Sequence, residues 1–339
     1  EWNIIADYAK ASGRPFSFSL MQRDFAPDQW KKLIALTEKL KADGVDARMQ
    51  VAPRAIGVFL GFNCTFHPFM GYPSYKTIAH LPLDQRVAKM KEPAFKAQIL
   101  SEKTDKLSGP GSSVPPLADL LMEHIEMVAE KFFQLGDPPD YEQPPERSLA
   151  ARAREKGVPL MEMVYDTLLE RDGQELIYLP LYNYTELNYD NVLEMMEHPQ
   201  ALYGLSDGGA HVGTVCDASM PTYMLTHWTR DRKRGRRLTL EKVVRMLTGA
   251  QADYLGMTDR GYLRAGQKAD INIIDLDNLQ SEPPHMEKDL PAGGQRLLQG
   301  ARGYDATIVS GEIVMEKGQL TGARPGTLYR AGRTAIAAE

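Results

Sequence analysis

Two cysteines in 339 residues, Cys64 and Cys216, are too few for a disulfide framework. They suit a reducing compartment, so a cytoplasmic location is expected, although one bridge stays open. No stretch approaches the roughly 18 uninterrupted apolar residues of a membrane-spanning helix, and no membrane partner is expected. A basic surplus is missing too. Lys and Arg total 40 against 45 Asp and Glu, a net charge of −5, which argues against nucleic acid as a partner. The short catalytic signatures are also absent. There is no His-x-His, His-Glu-x-x-His, Cys-x-x-Cys, Gly-x-Ser-x-Gly, Walker loop or dinucleotide fingerprint. The seven histidines (His67, His80, His124, His198, His211, His227 and His285) therefore form no self-contained zinc motif.

What remains is an ordinary globular composition, 43% hydrophobic and 25% charged. The length allows one large domain or two ordinary ones. The chain opens at Glu1 in mid-helix, without a cap or start signal. The natural N-terminus is expected to lie outside this sequence, so a signal peptide cannot be judged.

The run 1–13 has a helical apolar face ending at Gly13. Residues 14–20 and 46–53 predict strands, and Asp28 is expected to cap the helix between them. Helix and strand at this spacing indicate βα units of a parallel sheet. Residues 55–200 break the pattern with Gly, Pro and aromatics, and form an inserted lid or a subdomain. Within that excursion, 117–133 and 148–173 read as helical, 137–147 as a surface loop and 175–180 as a strand. A buried strand at 201–206 is followed by helices at about 219–232 and 239–256. From 257 the period changes to two, which predicts a small β unit.

One constellation carries chemistry: Leu205-Ser206-Asp207-Gly208-Gly209-Ala210-His211. A carboxylate directly after an apolar strand sits at the strand's carboxyl end, where α/β folds bind ligands. Asp207 is then a metal ligand or general base with His211 close by, or simply an Asp that caps the next turn. Gly208 permits close backbone approach. His67 reads as a packed loop histidine, His198 as a turn residue and His227 as helix packing. The basic run 230–237 reads as a solvated turn between helices.

The order SDGGAH, then LTGAQADYLGMTDRGYLRAGQKADINIIDLD, then VSGEIVMEKGQLTGARPG resembles the amidohydrolase superfamily. Within it, the D-aminoacylase (N-acyl-D-amino-acid deacylase) branch is most similar. The resemblance covers about 1–54 and 175–330. It implies an α/β fold, the C-terminal portion of a (β/α)8 TIM-type barrel with a small β domain (a β-sandwich) attached. Residues 1–256 would be a partial barrel carrying strands six to eight and the inserted region at about 55–200. Residues 257–339 would be the C-terminal part of the small β domain, and the N-terminal part of the family would lie outside the chain.

The resemblance also implies a divalent metal cofactor, zinc in first place. Asp207 would be both its contact and the catalytic proton shuttle. Two departures accompany it. Leu20 stands where the branch carries a metal-binding His, and Gln22 where it carries a carboxylate-binding Lys. Arg54 replaces a Tyr of the branch and is a candidate for substrate-carboxylate recognition, with Gly208 and His211 as further substrate-binding candidates. The expected activity is hydrolysis of a non-peptide C–N amide bond, foremost in an N-acyl-D-amino acid. A cyclic-amide hydrolase and a binding protein without turnover remain open. The expected partner is a small-molecule substrate, and a homo-oligomer stays open.

Overall fold

The computed structural model describes residues 2–111, 114, 116–204 and 209–329. Three parallel strands form the first sheet, β1 (Phe16–Leu20), β2 (Ala47–Val51) and β6 (Ala201–Tyr203), in the order β1-β2-β6. In β2 the period of two is plain: Ala47, Met49 and Val51 are buried, whereas Arg48 and Gln50 are half-buried. The helix Gln29–Ala42 makes the crossover from β1 to β2 and buries Trp30, Thr37 and Leu40. Parallel strands need such a long connection. Asp28, expected as its cap, makes no side-chain cap bond; its carboxylate meets Lys31 Nζ at 2.8 Å. The packing of Trp30, 1% exposed, anchors this end of the helix instead.

The excursion between β2 and β6 holds a second, antiparallel sheet, ordered β3-β5-β4. Its strands are β3 (Ile56–Leu60), β4 (Phe133–Gln134) and β5 (Ile177–Tyr182). Strand β5 falls where a strand is expected, but β3 lies in chain that reads as irregular. Gly57 explains why. A Cβ there would come within 2.5 Å of the Leu179 carbonyl and 2.7 Å of the Tyr178 ring. The strand needs a residue that weakens the strand signal in its sequence. Phe62, Phe69, Tyr75, Phe95 and Tyr165 belong to a separate hydrophobic cluster, whereas Phe59, Phe133, Tyr178 and Tyr184 of the same excursion pack in the main one.

Three other expectations fail within 55–256. Residues 137–147 are not merely a surface loop: Tyr141, Glu142 and Gln143 are each 3% exposed. The basic run 230–237 is not wholly solvated, since Arg232 is 4% exposed and paired with Glu142. Prolines and charges made both segments read as solvated, and an ion pair buried both. The helix expected over 239–256 breaks at Thr248 (φ −127°, ψ −89°) into Leu240–Leu247 and Gly249–Tyr254. Its expected cap is present: the Lys242 N–H donates to Thr239 Oγ1 at 3.3 Å.

Beyond residue 256 the chain is β-rich. Strands β7 (Ile271–Ile274), β12 (Tyr304–Val309), β13 (Glu312–Glu316) and β14 (Gln319–Leu320) form an antiparallel sheet ordered β14-β13-β12-β7. Strand β8 (Gln280–Ser281) pairs with β11 (Ala301–Arg302). A hairpin joins β9 (His285–Leu290) to β10 (Gly294–Leu298). Leu297 of that hairpin donates its N–H to the Val212 carbonyl at 2.7 Å. Among the described residues, no helix is long and apolar enough to cross a membrane.

Candidate active site

The parallel sheet brings three outgoing loops to one edge. Leu20 pairs with Val51, and Val51 with Tyr203, so the three strands end on one rung. The chain leaves the sheet at Met21, Ala52 and Gly204. Gly204 still donates its N–H to the Val51 carbonyl at 2.9 Å. A Cβ on Gly204 would fall 2.7 Å from Gln50 Cβ and 2.8 Å from its carbonyl carbon. Gly204→Ala is therefore expected to cost about 1–3 kcal/mol through overpacking. Thermal melting checks this, and an unchanged midpoint would mean that the strands spread without penalty. Asp207 and Gly208 follow within four residues of Gly204 and lie outside the described residues.

The chain resumes as a tightly held loop. His211 is exposed and adopts a left-handed conformation (φ 50°). Its carbonyl accepts from Thr214 N at 2.8 Å and Val215 N at 2.9 Å. Gly213 O accepts from Thr65 N at 2.9 Å, and Thr214 O from Phe59 N at 2.7 Å. The segment after Asp207 is thus stitched both to strand β3 and to the β9–β10 hairpin.

Arg54, from the loop after β2, closes the other side. Its guanidinium is fully buried and lies over the Tyr141 ring at 4.0 Å. It donates to the Cys216 carbonyl at 3.0 Å and lies 3.3 Å from Asp217 Oδ1. Arg54 does meet a carboxylate, but one belonging to the chain itself. Its position fits a clamp that holds residues 216–219 against the end of β2. The Asp217 partner is absent from the sequence reading. Its only signal there is an acid ten residues after Asp207.

Gln22 is also spoken for. It is 1% exposed, its N–H donates to Asn183 Oδ1 at 2.8 Å, and its amide donates to Glu186 Oε1 at 2.9 Å. Leu20 is 1% exposed and packs in the main core cluster.

The sequence model of the amidohydrolase family matches residues 1–315. The chain belongs to the amidohydrolase family. Two curated proteins match over shorter stretches. A 5-methylthioadenosine/S-adenosylhomocysteine deaminase of Carboxydothermus hydrogenoformans is 37% identical over 86 residues, 25% of this chain and 18% of its own. A dihydroorotase of Lactobacillus acidophilus is 31% identical over 101 residues, 29% of this chain and 23% of its own.

Among solved structures, a D-aminoacylase that defines a subset of amidohydrolases covers 94% of this chain and 50% of its own, at 17% identity and TM-score 0.44. A D-aminoacylase studied for its binuclear metal centre gives 16% identity and TM-score 0.43 over the same shares. The chain spans about half the length of these solved structures, 50% in each case, and about a fifth of the two curated relatives, 18% and 23%.

In this amidohydrolase, no three His, Cys, Asp or Glu side chains converge into a metal-holding group among the described residues. Leucine at 20 offers hydrocarbon where an imidazole is expected. The described residues therefore do not by themselves fit a metal ion. Nor do they offer a thiol nucleophile. Burial, with a contribution from Cys216, pushes the Cys64 thiol up to about 12. Burial likewise raises Cys216 to about 11, and both are free thiols. His67 is a packed histidine, as expected. Its ring lies 5.1 Å from Phe62 and 4.5 Å from Tyr75, and burial, with Arg86, pushes it down to about 3.

His227 packs within the helical run, as expected, with its ring 4.5 Å from Tyr223, and it adds an unexpected polar contact. It sits in a π-helical turn, His227–Asp231, with Nε2 2.8 Å from Glu142 Oε2. Glu142 also accepts from Arg232 Nε at 3.0 Å and Nη2 at 2.9 Å, and from Tyr189 N at 2.9 Å. Burial drives the Glu142 carboxyl upward, but the bonds from His227 and Arg232 outweigh it and hold the group down at about 2. This cluster joins the 137–147 segment to the helix that follows the Asp207 loop.

Proposed function

We propose that this amidohydrolase chain takes part in hydrolysis of a non-peptide C–N amide bond, foremost deacylation of an N-acyl-D-amino acid. The observation that carries the reading is the shared rung of Leu20, Val51 and Tyr203. It launches the Asp207 loop from the same sheet edge as the loops bearing Gln22 and Arg54. In this reading Asp207 is the proton-transfer group, acting first as base and then as acid toward the leaving amine. Gly208 and His211 are the candidates for substrate binding. Arg54 positions the loop through Cys216, with its own charge turned inward.

A divalent metal, zinc in first place, belongs to the proposal through the family, but no described residue carries it and no step is routed through it. Metal analysis of protein from the complete gene checks that part separately.

Following free amine released from N-acetyl-D-amino acids tests the reading. Release from cyclic amides alone would move it to the second reading, which the local match to a dihydroorotase favours. No release from either class would favour a binding protein without turnover.

A further inference from the structure

The basic run 230–237 does more than turn between two helices. Together with Pro138, Tyr141, Tyr223 and His227 it walls a cavity of about 890 Å³. That volume suits a ligand far larger than an inorganic ion, within the ~300–1,000 Å³ range of small-molecule pockets. The wall carries six Arg or Lys (Arg147, Arg230, Arg232, Lys233, Arg234 and Arg237) and three acids (Asp140, Glu142 and Asp231). The surplus is 6 − 3 = +3 in a chain whose net charge is −5.

The three acids are committed within the protein. Glu142 is held by Arg232 and His227. Asp231 takes two bonds from Arg230, at 2.7 and 2.8 Å. Asp140 faces Arg147 at 3.9 Å. The positive surplus therefore rests on Lys233, Arg234 and Arg237. Among the described residues, none of these three has a carboxylate within ion-pair distance.

Arg234 is the fixed member. Its Nη1 donates to the Leu187 carbonyl at 2.7 Å and the Glu142 carbonyl at 3.1 Å. Carbonyl dipoles fix the orientation of a guanidinium without cancelling its charge. Lys233 and Arg237 are exposed at the rim, and Arg237 Nη1 donates to the Arg230 carbonyl at 2.6 Å. Tyr223 and His227, stacked on each other at 4.5 Å and 14°, line the same cavity. A pre-set guanidinium, two further cations and a stacked ring pair suit an oxyanion that carries a planar organic group.

We propose that this cavity binds a small organic phosphate, its phosphate held by Lys233, Arg234 and Arg237 and its organic group laid against Tyr223 and His227. Net charge and the appearance of a solvated turn hide the site in the sequence, because the neutralising acids come from a distant segment.

Calorimetric titration of protein from the complete gene tests the proposal, with adenosine monophosphate and inorganic pyrophosphate as probes and adenosine as the phosphate-free control. Both probes are expected to bind saturably at about 50 mM salt and to weaken as salt rises. The double variant Lys233→Glu/Arg237→Glu is expected to lose at least about tenfold in affinity for both. That variant leaves the Glu142–Arg232 pair in place, and an unchanged melting curve confirms that it folds. The single Lys233→Ala variant is the fallback if it does not, with a smaller loss expected in the same direction. Adenosine binding as tightly as the monophosphate would overturn the proposal. So would an unchanged affinity in a folded variant, or no saturable binding of either probe at about 10 mM. Preferential binding of an oligonucleotide through the same residues would overturn the small-molecule assignment.

Discussion

Replacing Glu142 by alanine is expected to lower the unfolding free energy by about 3–5 kcal/mol, because it leaves a buried guanidinium without its principal counter-ion. Arg232 is 4% exposed and spends three bonds on Glu142 and Asp190, two of them on Glu142. Glu142→Gln should cost less, since an amide oxygen can still accept one of those bonds. The pH dependence separates the two contributions. The carboxyl is held down from 4.5 to about 2 in the folded protein. A depressed carboxyl stabilises the fold above its unfolded value and loses that contribution as pH falls through the folded one. The contribution, about 3 kcal/mol at most, is therefore complete above about 4.5 and fades toward about 2. Denaturant titrations at pH 7 and near pH 3 should show a larger loss in the wild type than in Glu142→Gln, where other depressed carboxyls such as Glu197, held down at about 2 by Arg236 and Lys242, still fade. A loss below about 1 kcal/mol in Glu142→Ala would mean that Asp190, on the exposed side, takes over the pairing.

Asp207→Asn is expected to reduce kcat/KM for amide hydrolysis at least about 100-fold, with the loss in kcat rather than KM. An amide of the same shape cannot accept and return the proton, and positioned acid–base groups contribute about 10²–10⁴-fold. The substitution is nearly isosteric, so the melting temperature should change little. Retention of activity within about threefold would remove Asp207 from the proton-transfer role. Loss of folding together with activity would return it to a capping role.

The parallel strands were legible because each combines an apolar period of two with a clear boundary. Phe16–Leu20 follows Pro15, and Ala47–Val51 ends ahead of Pro53. That the strands run parallel and so end at one edge was legible from their βα spacing. Strand β3 was not, because the glycine that lets it approach Tyr178 also erases its pattern. Nor was the cluster of Glu142, His227 and Arg232. Its members are separated by 85 and 90 residues, hydropathy assigns Glu142 and Arg232 to solvent, and His227 reads as helix packing with no partner in view. Arg54 was singled out, but its partners Asp217 and Tyr141 come from two other segments and carry no local signature. Local periodicity is readable one segment at a time, whereas a buried charge is explained only by the distant group that pays for it.

The most direct test of the account is amine release by protein from the complete gene, measured on matched N-acetyl-D- and N-acetyl-L-amino acids. The account predicts one free amine per acetate released from the D series, faster than from the L series. Absence of amine release from both series, in a folded preparation supplied with divalent metal, would contradict it.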